Sequence, residues 1–176
     1  MDIQAAQADI RRAYRGGGLG AIVSGLVWVM SGVVTLLHGI NIGYLALFFG
    51  GMLIFPVSSF LERLILKNPS PDPDNPFGRL AFETVPPMIA MLIAVWFLIP
   101  HYPEWVFPFA AIAVGTHYFG FRSAYGMFTY WALAGVMTAV GAIAIWMVTI
   151  PAPTFIFIIA AIEIVFGFIL IRQTKS

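Results

Sequence analysis

The chain has 176 residues, of which 60% are apolar, 15% aromatic and only 10% charged, with a net charge of +1. That shortage of charge excludes an ordinary soluble globular domain, and the near-neutral balance gives no support for nucleic-acid binding. The apolar runs are continuous, without period-two alternation, so the composition predicts an all-α polytopic membrane protein whose backbone polar groups are satisfied within each helix.

Residues 1–18, "MDIQAAQADIRRAYRGGG", have no long apolar region ending in a small-residue cleavage site and do not read as a signal peptide. Ile3, Ala6, Ile10, Ala13 and Tyr14 share one helical face and the arginines lie elsewhere. This predicts a cytoplasmic amphipathic arm resting in the membrane interface, hinged at the glycine run. A solvated, frayed tail is the competing reading.

About twenty mostly apolar residues are needed to cross the hydrocarbon, and six runs qualify: Leu19 to His38, Tyr44 to Leu66, Val85 to Pro100, Trp105 to Phe121, Gly126 to Thr149 and Pro153 to Ile171. Residues 19–66 form the first expected hairpin. Residues 67–84, with "KNPSPDPDNP", form a Pro-rich cytoplasmic connection that is extended or turning. Residues 85–171 contain the second and third hairpins, and residues 172–176 the cytoplasmic tail. The acidic "DPDN" lacks the remaining oxygen ligands of a calcium loop, so no metal is expected there.

Sidedness comes from the nine Lys and Arg. Arg11, Arg12, Arg15, Arg63, Lys67, Arg79, Arg122, Arg172 and Lys175 all fall at one end of the expected spans, whereas "HGINIG", "PHYPEW" and "TIPAPT" carry none. Because cytoplasmic loops retain these cations, both termini are placed in the cytoplasm. Short loops and the lack of a targeting segment point to a bacterial inner membrane.

Three even-numbered spans contain similar segments, "FFGGMLI", "PFAAIAV" and "IIAAIEI". In a threefold repeat Glu163 would take the place of Leu53 and Ala113.

Glu163 is the anomaly. It lies about nine residues from either end of its span, roughly 13 Å from each interface, too deep to reach water. A charge at such a depth costs at least about 2.5–3.5 kcal/mol. Ala160 and Gly167 share its helical side, so it is expected to face the bundle, where small residues let helices approach. His117 in the fourth span shares a face with Ala110, Ala113 and Gly120; it is read either as a relay paired with Glu163 directly or through water, or as a ring near the interface that donates to a carbonyl or reaches headgroup water. Thr116, Ser58 and Ser59 are further members of this intramembrane polar site, the serines lying beside a helix break at Pro56.

His38, His101 and Glu104 belong to the outer connections and are read as solvated rather than as metal ligands. Tyr44, Tyr102 and Trp105 read as interfacial anchors. The chain has no Cys, so thiolate chemistry is excluded; "GGGLGA" follows no strand and fails as a nucleotide motif. No catalytic motif is recognised and no cofactor is expected. Two readings follow: a transporter, channel or ligand-binding bundle with a protonatable site, moving a proton or small solute and needing a homo-oligomer if six short spans leave too little room; or a non-enzymatic structural or assembly protein that binds a membrane partner or lipid. The lipid bilayer surrounds the protein in either case.

Overall fold

The computed structural model describes residues 2–147 and 150–174. The expected end of the fifth span at Thr149, and Lys175 of the cation set, lie outside the described residues. Those residues are all-helical, with no strand among them. The elements are α1 (Ile3–Tyr14), α2 (Gly18–His38), α3 (Ile40–Phe60), α4 (Pro76–Glu83), α5 (Val85–Trp96), α6 (Val106–Tyr125), α7 (Thr129–Trp146) and α8 (Ala152–Gln173). Five helical segments are long and apolar enough to cross a membrane, namely Ile3–His38, Ile40–Ile65, Pro76–Trp96, Thr129–Trp146 and Ala152–Gln173. The 20-residue α6 runs beside α7; its histidine, tyrosines and arginine leave it more polar than the others.

The tightest seam joins α2 to α8. Gly18, Gly25 and Gly32 recur every seven residues and therefore lie on one stripe of α2. A Cβ on Gly25 would sit 2.9 Å from the Ala160 carbonyl oxygen, and a Cβ on Gly167 would sit 2.7 Å from that of Gly18. The backbones themselves are in contact. Gly18 faces Gly167 while Gly32 faces Ile156 and Phe157, so rising position on α2 meets falling position on α8 and the helices are antiparallel. Between helices in lipid, where burying apolar surface gains nothing over the tails, such close packing supplies the attraction.

A second antiparallel seam joins α6 to α7. A Cβ on Gly141 would approach the Pro108 carbonyl oxygen to 2.7 Å, and one on Gly115 would lie 2.8 Å from the Thr138 hydroxyl oxygen. α3 packs on the other side of α2 and α5 packs on α6. Of the three expected hairpins, α2–α3 and α5–α6 pack as pairs, but α8 leaves α7 largely aside and closes the bundle against α2. The small residues of α8 face α2, and this decides its neighbour.

The third span differs from its expected bounds. Its helical part ends at Trp96 and turns follow through His101, while α4 precedes it, separated by Thr84. Pro86 and Pro87 cannot donate to the carbonyls of Phe82 and Glu83, so a continuous helix is interrupted there. α5 alone, at about 1.5 Å per residue, covers roughly 18 Å, too little for a bilayer. In α3, Pro56 is accommodated within the helix, and a single π turn, Leu61–Ile65, ends the segment. Tyr44 is not an interfacial anchor: it is fully buried and its hydroxyl donates to the Leu92 carbonyl at 2.5 Å, tying α3 to α5. Tyr102 and Trp105 do stack on one another, 4.6 Å apart.

α1 also departs from expectation. Its apolar residues Ala6, Ile10 and Ala13 are buried against protein rather than laid into lipid, while Ile3 stands out at 65% exposed. Gln7 donates to the Ser123 carbonyl at 2.8 Å and Arg11 to the Tyr125 carbonyl at 2.6 Å, both on α6. Asn75 donates to the Ala6 carbonyl at 2.9 Å. The chain then reverses through Arg15, Gly16 and Gly17, at φ of +46°, +66° and +75°; glycine takes this left-handed geometry without the Cβ penalty. A tail free in solvent is excluded by these contacts.

The repeat finds no support. Leu53 is 58% exposed, whereas Ala113 and Glu163 are buried, so the three positions do not share an environment.

The Asp9 carboxylate accepts from the Asp72 backbone at 2.8 Å, from Asn75 at 3.0 Å and from Arg12 at 2.6 Å. Desolvation is the largest single influence and pushes the carboxyl up, but the hydrogen bonds from Asn75, Asp72 and Arg12 together with the Arg12 charge outweigh it and hold the carboxyl below its ordinary value. A carboxyl depressed in the folded state stabilises at pH above its unfolded pKa, about 3.9, and loses that contribution as pH falls through the lower folded value. The contact between α1 and residues 72–75 is therefore expected to hold at neutral pH and open in acid below about pH 4, read as proteolysis after Arg12 or Arg15; Asp9→Asn should be cleaved already at neutral pH.

The glycine seam gives a second expectation. Gly167→Leu should lower stability in detergent by about 1–3 kcal/mol or more through overpacking. Gly51→Ala and Gly135→Ala, where an added Cβ meets nothing within 4 Å, should cause no loss in the same thermal unfolding assay.

Candidate functional site around Glu163

α8 places Glu163 at its centre, on the side occupied by Ala160 and Gly167. Because those residues are small, α2 comes close enough to cover the carboxyl, and Ser24, immediately before Gly25, is carried into the junction. α6 supplies Tyr118 from the third side. Glu163 is 0% exposed, Ser24 4% and Tyr118 6%. The Tyr118 hydroxyl donates to Glu163 Oε1 at 2.9 Å. Glu163 Oε2 is buried and has no well-aligned hydrogen-bond donor among the described residues; the Ser24 hydroxyl is the other polar group close enough to interact with both Glu163 and Tyr118.

An isolated carboxylate in hydrocarbon is strongly disfavoured. Here it has one firm donor, one nearby hydroxyl and no Lys or Arg within ion-pair distance among the described residues. Such a group can bind and release a proton, or at Oε2 accept a hydrogen bond from a solute or coordinate a small cation. Tyr118 continues the polar side of the site: its ring stacks with Tyr130 at 6.2 Å, and Tyr130 donates to the Gly16 carbonyl at 2.6 Å. Tyr125 lies against Tyr130 at 5.1 Å. The line of phenols thus runs from Glu163 to the glycine turn under α1.

His117 is not Glu163's hydrogen-bond partner. Consecutive residues on a helix point about 100° apart, so with Tyr118 turned to α8, His117 faces the break between α4 and α5. Its Nδ1 lies 2.7 Å from the Thr84 hydroxyl oxygen, and that hydroxyl donates to the Ala81 carbonyl at 2.7 Å. Thr84 has a single proton, already used, so Nδ1 carries the donor in this arrangement. His117 therefore ties α6 to the junction of α4 and α5 at Thr84.

The other expected members are dispersed. The Thr116 hydroxyl shares its one proton between the Ile112 and Ala113 carbonyls of its own helix, at 2.9 and 3.0 Å. Ser58 donates to the Phe55 carbonyl at 3.2 Å. Ser59 Oγ is buried without a hydrogen-bond partner among the described residues. Both serines are on α3, which packs on α2 and turns Phe55 and Phe60 outward. Among the described residues no group of three His, Asp or Glu is arranged to hold a metal ion.

Sequence reasoning missed Tyr118, Ser24, Tyr130 and Thr84. A signal existed for Ser24 in "SGLVWVMSG", where a Ser-Gly pair recurs after seven residues at Ser31 and Gly32. Tyr118 gave none beyond its place beside His117.

Removing one end of a buried hydrogen bond costs more than removing both. Tyr118→Phe is expected to lower stability in detergent by about 1–3 kcal/mol. In Tyr118→Phe combined with Glu163→Leu, part of the summed loss should be recovered, a coupling that a double-mutant cycle measures.

No curated protein matches the chain, and no solved structure does. A protein-family model described as a family of unknown function (DUF7010) matches residues 3–173, a stretch that takes in all eight helices. The chain belongs to that family.

Proposed function

We propose that this is a six-span membrane protein of the bacterial inner membrane, with both termini cytoplasmic, in which Glu163 is a protonatable site for transport of a proton or small solute. One observation carries the reading: a fully buried carboxyl at mid-helix, with Tyr118 on one oxygen and no aligned donor on the other. Intramembrane ionisable groups facing a bundle interior commonly mark proton or ion routes. The phenols Tyr118 and Tyr130 extend the polar line toward the cytoplasmic end, and a homo-oligomer would enlarge the narrow bundle.

The orientation is supported by the clustering of the basic segments. Arg15 reaches Asn68 at 3.4 Å, Arg63 reaches the Ala13 carbonyl at 3.3 Å, and Arg11 reaches Tyr125. The cations that precede α2 and follow α3 thus share one end of the bundle with the C-terminus of α6.

The seal around Glu163 favours a second reading, in which the protonated carboxyl is a packing contact in a structural or assembly protein. Labelling by a hydrophobic carbodiimide in native membranes, read at Glu163 by peptide mass spectrometry, separates the two. Labelling that titrates with pH is expected for a transport site, together with loss of activity but not of folding in Glu163→Gln. Absence of labelling at every pH, with Glu163→Leu fully stable, would overturn it.

The lack of cysteine makes the orientation directly testable. A membrane-impermeant maleimide should label Glu104→Cys in intact cells and Asp74→Cys only after permeabilisation; the reverse order inverts the topology.

A further inference from the structure

At the end of α3 the usual sorting of side chains is inverted. In the π turn Leu61–Ile65, Leu64 is 65% and Ile65 60% exposed, while Glu62 is buried at 1%. A carboxyl so deep is costly unless it is paired or neutralised. One oxygen has a partner, since Asn68 donates to Oε2. The other, Oε1, is buried with no hydrogen-bond partner among the described residues.

Arg15, from the turn after α1, and Arg63, from the same π turn, face this carboxyl. Neither comes within ion-pair distance of it; among the described residues only Arg12 and Asp9 form such a pair. Their donors are engaged elsewhere. Arg15 donates to Asn68 at 3.4 Å, and Arg63 to the carbonyls of Ala13 and Asn68 at 3.3 and 3.2 Å, with its guanidinium 5.0 Å from the centre of the Tyr14 ring. A carboxylate kept permanently ionised by these arginines would hold a guanidinium fork on its two oxygens. Glu62 instead has one open oxygen and two cations tied to other partners.

From α6, Tyr125 lies close enough to Glu62 and Tyr14 to interact with both. It also meets Tyr130. A Cβ on Gly17 would touch the Tyr130 hydroxyl and lie 3.1 Å from that of Tyr125, so the two phenol oxygens converge on the space this glycine leaves open. Beyond Tyr130 stands Tyr118, bonded to Glu163. Two buried carboxyls, each with one oxygen lacking a hydrogen-bond donor among the described residues, thus end a single line of phenols. We propose, building on the reading of Glu163 as a protonatable site, that Glu62 is a second proton-binding site and the group through which protons from the basic end of the bundle reach Glu163.

Arg15, Arg63 and Asn68 are half-buried, so a layer of polar side chains separates Glu62 from water at that end. A proton bound at Glu62 Oε1 passes to the Tyr125 oxygen as that hydroxyl releases its own proton to Tyr130. Tyr130 in turn protonates Tyr118, whose proton moves to Glu163 Oε1 along the hydrogen bond already formed. One proton leaves Glu62, one arrives at Glu163, and every phenol ends neutral. The Tyr130 hydroxyl turns away from the Gly16 carbonyl to take part.

The test is hydrogen-deuterium exchange at the Glu163 carboxyl, followed by infrared spectroscopy of the purified protein in lipid vesicles. A protonated carboxyl has its own C=O stretching band, which shifts down on deuteration; the band belonging to Glu163 is the one missing in Glu163→Gln. In the wild type it is expected to shift soon after transfer to deuterated buffer. Glu62→Gln, which keeps an acceptor for Asn68, should slow that shift roughly 100-fold, the lower end of what a positioned proton-transfer group contributes. A merely structural role would act the other way, because loosening the end of the bundle admits deuterium faster. If Glu62→Gln does not fold, judged by its unfolding temperature, Tyr125→Phe decides, since it removes a relay hydroxyl and leaves Glu62 in place. An unchanged or faster rate in the folded variant would overturn the proposal while leaving Glu163 protonatable, as would a Glu163 band that never shifts in the wild type. Absence of a Glu163 band at every pH would overturn the reading of Glu163 itself, and the proposal with it.

Discussion

The approach of the α2 and α8 backbones at Gly18, Gly25, Ala160 and Gly167 is the constraint from which the remaining arrangement follows. A carbonyl oxygen occupies the space where a side chain would begin, so the two helices are in register at a separation that larger residues would forbid. That separation brings Ser24 to the side of Glu163 and leaves room for α6 to close the third side with Tyr118. It also fixes where the ends lie: Gly16 and Gly17 at the head of α2 fall beside the last turn of α8, where Gly16 packs near Thr174 and the Leu170 carbonyl. The reversal through three left-handed residues then directs α1 back across the end of the bundle.

The same economy of small residues does not extend to α3. It packs on α2 and shows a broad apolar surface, with Phe49, Met52, Leu53, Phe55 and Phe60 all more than half exposed. In lipid such a surface carries no penalty, because the surrounding medium is itself apolar. Buried and exposed residues are therefore chemically alike here, and polarity alone does not sort them. Size does: glycine and alanine mark the seams, and large side chains mark the outside.

That fact explains what the sequence revealed and what it hid. The helices and most of their bounds follow from apolar runs and breakers, because a hydrocarbon solvent leaves the backbone no alternative to a helix. The orientation of Glu163 followed from Ala160 and Gly167, its neighbours at i−3 and i+4. Helix pairing was not readable in the same way, since sequential neighbours are only a default and α8 chose α2 over α7 by a stripe match seven residues in period. His117 was misassigned because a face of small residues was taken as pointing to Glu163. The histidine instead meets Thr84 between α4 and α5, a connection over more than thirty positions that no local pattern carries. α1 was read as amphipathic correctly, but amphipathicity does not say whether the apolar side meets lipid or protein.

The seam itself makes no demand for a carboxyl at position 163. It requires small residues at 160 and 167 and is indifferent to the chemistry between them; a leucine would fill similar space without the cost of desolvating an acid. The hydrogen bond from Tyr118 offsets part of that cost, yet two apolar side chains in those places would remove the need for it altogether. Packing therefore accounts for the position of Glu163 and not for its chemistry. What distinguishes a carboxyl from every apolar alternative at that depth is the capacity to hold a proton reversibly, and Tyr118, Tyr130 and the carbonyl of Gly16 place polar groups in succession between it and the basic end of the bundle.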